Sequence, residues 1–443
     1  MKLLRFTFSG FGLFLIVLFG FGCGAVHPPK QVQLKNGIPL ILKTMPDSHV
    51  ATVLMSVRAG SVHENDANQG ISRLLERCLF RSSTRYPNVR ETIESFGGNY
   101  SSNVFQDFMA FSVTAEASHL PDMIRIFSDV LQFPRFDSTL VSTMRRDLVK
   151  VVEDEYSNPR VMVITQFLRR AFQRHPYRFI PLGNPKTLRT LRTGDVVRYF
   201  ESLFVPANVE FVVTGHFNRN EVLKEFNESL GSFVRDSALP PVPPPEPEQT
   251  APREAIANHP FSKDVAFVGV GWKAPSIRNP DTYSVDVLVS CLGIGESSRL
   301  NAQIRNTTDS VYSIWAEYFT PREPGYLLIT AVCNAGIATR VKQRILDEIG
   351  VLKKDEITPT ELERAKMYLM SMKAYSDEGS ATMAGFIGYW SIQQNVDFSN
   401  TYSDRIAAVT AKEVQQAARV YLRGDNFTSV ILLPATQAAG ISK

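Results

Sequence analysis

Histidine is scarce in this chain of 443 residues, and the seven that occur, at 27, 49, 63, 119, 175, 216 and 259, never stand within five positions of one another. Two metal-binding imidazoles on one helix need histidines at i and i+4, so that both rings face the same way. No such pair can be built here. Cysteine is scarcer still: only Cys78, Cys291 and Cys333 follow Cys23, at spacings too wide for a disulfide framework or a metal knuckle. Buried thiols are the expectation. Dense basic blocks are also missing; 48 Lys+Arg against 44 Asp+Glu leave +4 spread along the chain, which argues against a nucleic-acid partner. Neither a Gly-x-x-x-x-Gly-Lys-Ser/Thr phosphate loop nor a Gly-x-Ser-x-Gly serine elbow occurs.

Long apolar runs are confined to the N-terminus. There Lys2 and Arg5 precede a stretch from Phe8 to Gly22 that ends at Cys23, the outline of a secretory signal over 1–23 with Cys23 where a bacterial lipoprotein is lipidated. The stretch is shorter than the roughly 20 residues that span a bilayer as a helix. The expected location is therefore the bacterial cell envelope, periplasmic and lipid-anchored or else secreted, with membrane contact only through the N-terminal lipid or anchor.

What remains has an ordinary globular makeup, 44% hydrophobic and 21% charged, and length for two domains. The run Leu239-Pro-Pro-Val-Pro-Pro-Pro-Glu-Pro-Glu-Gln249 can hold neither a helix nor a sheet interior, because proline fixes φ and lacks the donor. It places a linker at 236–256 between an N-terminal part, 32–235, and a C-terminal part, 257–436. Each part opens alike, with a buried strand at Ala51–Gly60 or Val265–Ala274. A helix follows at about 70–80 or from about 282. Later pieces correspond too: strands over Phe105–Val113 and Tyr326–Val332, then helices over Leu120–Leu131 and Ala338–Gly350. The economical fold is α+β: two homologous half-domains, each a mixed, mostly antiparallel sheet with helices on one face.

The segment Gly70-Ile-Ser-Arg-Leu-Leu-Glu-Arg-Cys-Leu-Phe-Arg-Ser-Ser83 resembles the Gly-x-x-His-Phe-Leu-Glu-His-Met-Leu-Phe-Lys-Gly-Thr segment of the pitrilysin/insulinase-type zinc peptidases, the inverzincins. Further pieces fall in family order: Asn36-Gly37, Arg58-Ala-Gly-Ser61, Gly97-Gly98 with Asp107 beyond, His175-Pro-Tyr177 before Leu182-Gly183, Phe204-Val-Pro-Ala-Asn208, Ser298-Arg-Leu300 and Thr360-Glu-Leu-Glu-Arg-Ala-Lys366. The resemblance covers nearly everything from Val32 to Leu433. It implies two halves forming half of a chamber around an unfolded peptide.

The departures fall on the metal site. Arg73 and Arg77 stand where the family has its two zinc histidines, while the general-base position is kept as Glu76. Guanidinium has no lone pair for a metal and stays protonated, so the chain is expected to hold no zinc and to have no catalytic residue of its own. The family's third ligand, a glutamate about 75 residues on, lands near Glu153-Asp154-Glu155. That trio reads either as a solvated helix face or as a counter-charge for the arginines. Glu76 reads as a leftover base or, preferably, as their partner. In the second half, Ser298 to Ser313 resembles the family's Ser-Arg-Leu-x-x-x-Leu-Arg-x-x-x-x-x-x-Tyr-Ser segment, so Arg305 and Tyr312 match the pair that binds the substrate carbonyl and the oxyanion formed on it.

Metal ligands lost and substrate pair kept imply the zinc-less subunit of a heterodimeric peptidase, with zinc in a homologous partner and an unfolded peptide as substrate. The alternatives are a non-catalytic peptide-binding or assembly scaffold of the same fold and, behind it, an active zinc endopeptidase with an altered site.

Overall fold

A computed structural model describes residues 28–235 and 242–435 of the chain. The signal segment 1–23 and Cys23 lie outside the described residues.

Two sheets form. The first contains β1 (Lys30–Gln33), β2 (Pro39–Thr44), β3 (Val50–Val57), β4 (Asn99–Val104), β5 (Met109–Glu116) and β6 (Val209–Gly215), in the order β1-β2-β6-β3-β5-β4. The second contains β7 (Arg253–His259), β8 (Val265–Ala274), β9 (Val311–Phe319), β10 (Gly325–Asn334) and β11 (Thr428–Pro434), in the order β7-β11-β8-β10-β9. Removing β1 from the first leaves the same order, strand for strand. In both sheets one pair, β2 with β6 and β7 with β11, is parallel and the rest are antiparallel. The two halves are repeats, as expected from their matching openings.

Two details differ from the sequence reading. The stretch Phe105–Val113 is not one strand: the chain turns at 105–108, where Phe105 donates to the Phe108 carbonyl at 2.8 Å and the two rings stack. The aromatic residues that gave the run its strand-like composition close a hairpin between β4 and β5. Likewise β7 begins at Arg253, inside the stretch read as linker, because it finds a parallel partner in β11.

Each sheet has one face on its own helices and part of the other on a helix lent by the opposite half. The Pro159–Ala171 helix, started by the Asn158 cap and Pro159 in its first turn, packs Val163 and Phe167 against Leu328, Val430 and Leu432 of the second sheet. The Ser380–Gln393 helix packs Met383, Ala384 and Ile387 against Ile41, Leu54 and Val212 of the first. Both contacts need bare backbone. A Cβ on Gly271 of β8 would come within 2.7 Å of the Phe167 ring, and one on Gly388 within 2.3 Å of Leu54 Cδ2. Burial on both faces explains why β6 and β11 are buried at every residue instead of alternating.

Polar groups fix the exchange. Ser380 Oγ lies 2.9 Å from both Thr52 Oγ1 and Thr214 Oγ1. Ser391 donates to the buried Glu210 carboxylate, and Arg58 Nε donates to the Ile392 carbonyl at 3.2 Å. Near the junction of the halves, Asp107 accepts from the Tyr177 hydroxyl at 2.6 Å and from the Arg322 amide at 2.9 Å.

Candidate functional site

The helix Ile71–Leu79 carries the degenerate motif. Its start is set by Gly70, whose φ of 97° is a left-handed conformation and whose Cα approaches Gly183 and Leu188 so closely that a Cβ would clash with the Leu188 side chain at 2.7 Å. Glu64 accepts from the amides of Gly70 at 2.8 Å and Ser72 at 3.1 Å, filling the role of a cap from six residues upstream. Burial raises its carboxyl to about 7 despite these bonds. Ser72 and Gly60 are tied to the Tyr199 hydroxyl at 2.8 and 3.0 Å. None of this anchoring was visible beforehand, since neither a glutamate in a loop nor a distant tyrosine has a helix-start signature.

The helix turns Leu74, Leu75, Cys78 and Leu79 into the core and presents Glu76 to β4. Glu76 Oε2 lies 3.8 Å from Arg73 Nε and 3.7 Å from Arg77 Nε. Its other oxygen accepts from the Ser102 hydroxyl of β4. The Glu76 side chain is 5% exposed, those of Arg73 and Arg77 24% and 35%. Glu76 is thus the arginines' partner.

The acidic trio is not. Glu153, Asp154 and Glu155 are exposed on the Ser138–Tyr156 helix, and Glu153 pairs with Arg189. The counter-charge reading is corrected accordingly: the buried residues of that helix are Val141, Leu148, Val149 and Val152, all apolar. The zinc that the motif's relatives carry therefore does not fit. Arg73 and Arg77 have no free electron pair, no carboxylate from the trio is turned inward, and among the described residues no group of three His, Cys, Asp or Glu side chains could hold a metal ion.

Arg305 ends the short helix Asn301–Arg305 and pairs with Glu296, with Asn301 Oδ1 at 3.4 Å. Tyr312 is the second residue of β9 and is 50% exposed. Arg305 precedes the edge strand β9 and Tyr312 lies on it, but among the described residues no hydrogen bond, ion pair or ring contact joins either to Arg73, Glu76 or Arg77. The remaining cysteines, 78, 291 and 333, are buried free thiols. No helix of the described residues is long and apolar enough to cross a membrane.

Comparison with known families completes the picture. Residues 40–186 match the model described as insulinase, peptidase family M16, and residues 190–369 match the peptidase M16 inactive domain. The chain belongs to the M16 peptidase family. The M16 zinc protease PqqE of Helicobacter pylori is similar at 23% identity over 417 residues, 91% of this chain and 93% of that protein. A protease structure from the same organism superposes with a TM-score of 0.87 at 21% identity, covering 92% of this chain and 99% of that one. An M16 inactive-domain protein from Pseudomonas fluorescens does so at 0.84 and 16% identity, over 92% and 98%. The M16 fold is thus present in full, with arginines in the place of its histidines.

Proposed function

We propose that this chain is the zinc-less subunit of a two-chain M16 metallopeptidase. It supplies Arg305, Tyr312 and half of the peptide chamber to a homologous partner that carries an intact His-x-x-Glu-His. Its place is the bacterial cell envelope, held there through Cys23. The observation that supports this most is the asymmetry of the two halves. Arg73 and Arg77 replace the donors that any zinc would need, whereas Arg305 and Tyr312 match the family's substrate pair, with Tyr312 half exposed and Arg305 a third. Without a metal to acidify water, Glu76 alone adds little to amide hydrolysis.

The test is reconstitution. This chain is co-expressed with a homologue from the same genome that bears the intact motif, and the pair is assayed on an unfolded peptide. The complex is expected to cleave with zinc in the partner only, each chain alone to be inactive, and Arg305→Ala or Tyr312→Ala to lower kcat of the complex by about a hundredfold, the scale of losing one oxyanion donor. Full activity of the partner alone, or chelator-sensitive cleavage by this chain alone, overturns the proposal.

A further inference from the structure

The charge around Glu76 extends beyond the motif. Arg81, just past the helix, donates from Nε to the Arg77 carbonyl at 3.4 Å, and Arg90 lies over the Tyr100 ring of β4, 4.6 Å from its centre. Burial, then the cations of Arg90 and Arg77, hold the Arg81 guanidinium below its usual range. Arg73 and Arg77 thus meet the Glu76 carboxylate while Arg81 and Arg90 lie beside them, and among the described residues neither Arg81 nor Arg90 makes an ion pair with an acidic side chain.

A second observation is independent of the charge count. Nε of Arg73, Arg77 and Arg90 and Oε2 of Glu76 are buried with no hydrogen-bond partner in the protein. Glu76 is more than nine-tenths buried and is aimed between two guanidiniums at distances too long for hydrogen bonds. Buried polar atoms are seldom left without hydrogen bonds, yet three of these four meet one another only as ion pairs of 3.7–3.8 Å and Arg90 Nε has no hydrogen bond at all. Glu76 meets both arginines at Nε, and among the described residues their forked Nη donors make no hydrogen bond. That fork fits a carboxylate bidentately.

The third observation is position. β4 ends the sheet order, so its outer edge offers unpaired main-chain groups to an extended segment. Ser102, in mid-strand, touches Glu76.

We propose that Arg73, Arg77, Arg81 and Arg90 form a carboxylate-binding site that selects an acidic side chain, or the terminal carboxylate, of an extended peptide lying along β4. This rests on the reading of the chain as a peptide-holding subunit and adds a substrate class to it.

The experiment uses the full chain and short fluorescent peptides of Ser, Ala and Val, read by anisotropy. One has a single central Asp and an amidated end, one has Asn there, and one has Asn with a free C-terminus. The Asp peptide is expected to bind about tenfold tighter than the Asn amide, the value of one charge-assisted hydrogen bond, and to lose that advantage at high salt. The free-terminus peptide shows whether the main-chain carboxylate serves as well as a side chain. Arg73→Gln/Arg77→Gln should abolish the preference, as should Arg90→Gln, which leaves the helix untouched; Arg146→Gln, exposed on the Ser138–Tyr156 helix, should not. Equal binding of Asp and Asn peptides overturns the site while leaving the two-chain peptidase reading standing. Binding of no peptide by the chain, while the reconstituted two-chain complex cleaves peptide, overturns the site and leaves the two-chain reading standing. Displacement by inorganic phosphate at lower concentration than by the Asp peptide overturns it in favour of a phosphate site.

Discussion

The helices Ile71–Leu79 and Thr282–Gly293 take matching places, each after the central strand of its sheet, yet they differ in what they carry. The first has three charged residues in nine, of which Glu76 meets Ser102 of β4 and the two arginines meet Glu76; the second has one in twelve, Asp286. The difference follows from neighbours. The second helix is enclosed by β9 and by the Pro359–Glu378, Val396–Ala408 and Ala411–Tyr421 helices, so Asp286 accepts from Tyr402 at 3.0 Å and desolvation raises its carboxyl to about 7. On the first helix Arg73 and Arg77 stay partly open to water, 24% and 35% exposed. A duplicated scaffold thus assigned polar work to the copy whose helix stayed accessible, and packing to the other.

The largest effect is expected where the halves are tied. Phe167→Ala removes a wholly buried ring from between its helix and the second sheet, and should lower unfolding free energy by about 3–5 kcal/mol in urea titration. Because the helix belongs to one half and the sheet to the other, the transition should shift as one. Two separated transitions would show that the halves fold independently. Next in size is Glu76→Gln, which leaves two neighbouring arginines without their carboxylate. A loss of about 2 kcal/mol is expected by the same titration, with part of it recovered when Arg77→Gln is added.

A pH series sharpens the contrast further. Glu64 and Glu210, both buried in the first half, have carboxyls raised by desolvation from 4.5 to about 7. Between these values the folded state holds protons that the unfolded state has released, so the contribution of these two groups to stability is full below about 4.5 and is lost as pH rises through 7, with a slope of at most about 1.4 kcal/mol per unit per group. Glu210→Gln keeps an acceptor for Ser391 and should flatten the slope by one group's share; an unchanged slope would place the proton elsewhere. Smallest is Arg305→Ala. Its partner Glu296 is mostly exposed, and such pairs contribute about 0–1 kcal/mol, so its melting curve should hardly move, in contrast to the loss of activity expected of the proposed two-chain complex.

Much of the fold was legible because the duplicated strand and helix patterns have short-range causes: β-rich runs at 51–60 and 265–274, and apolar spacing over 71–79. The exchanged helices were not. Phe167 and Ile387 sit on apolar stripes that would look the same whichever sheet they covered. The Phe105–Phe108 turn was hidden by residues that favour strands. At the site, the substitutions Arg73 and Arg77 could be read directly, whereas the direction of Glu153 and the reach of Ser102, Arg81 and Arg90 depend on side chains from separate elements. Arg305 and Tyr312 were placed by the resemblance of Ser298 to Ser313 to the family's segment, and a matched segment cannot say what stands opposite them.

The reciprocal loan of one helix has a consequence for chain continuity. A protease that nicked the proline-rich stretch between the halves would release nothing. Each fragment would still have its Pro159–Ala171 or Ser380–Gln393 segment clamped beneath the other's sheet, and the two pieces would travel as one particle until denaturant parted them.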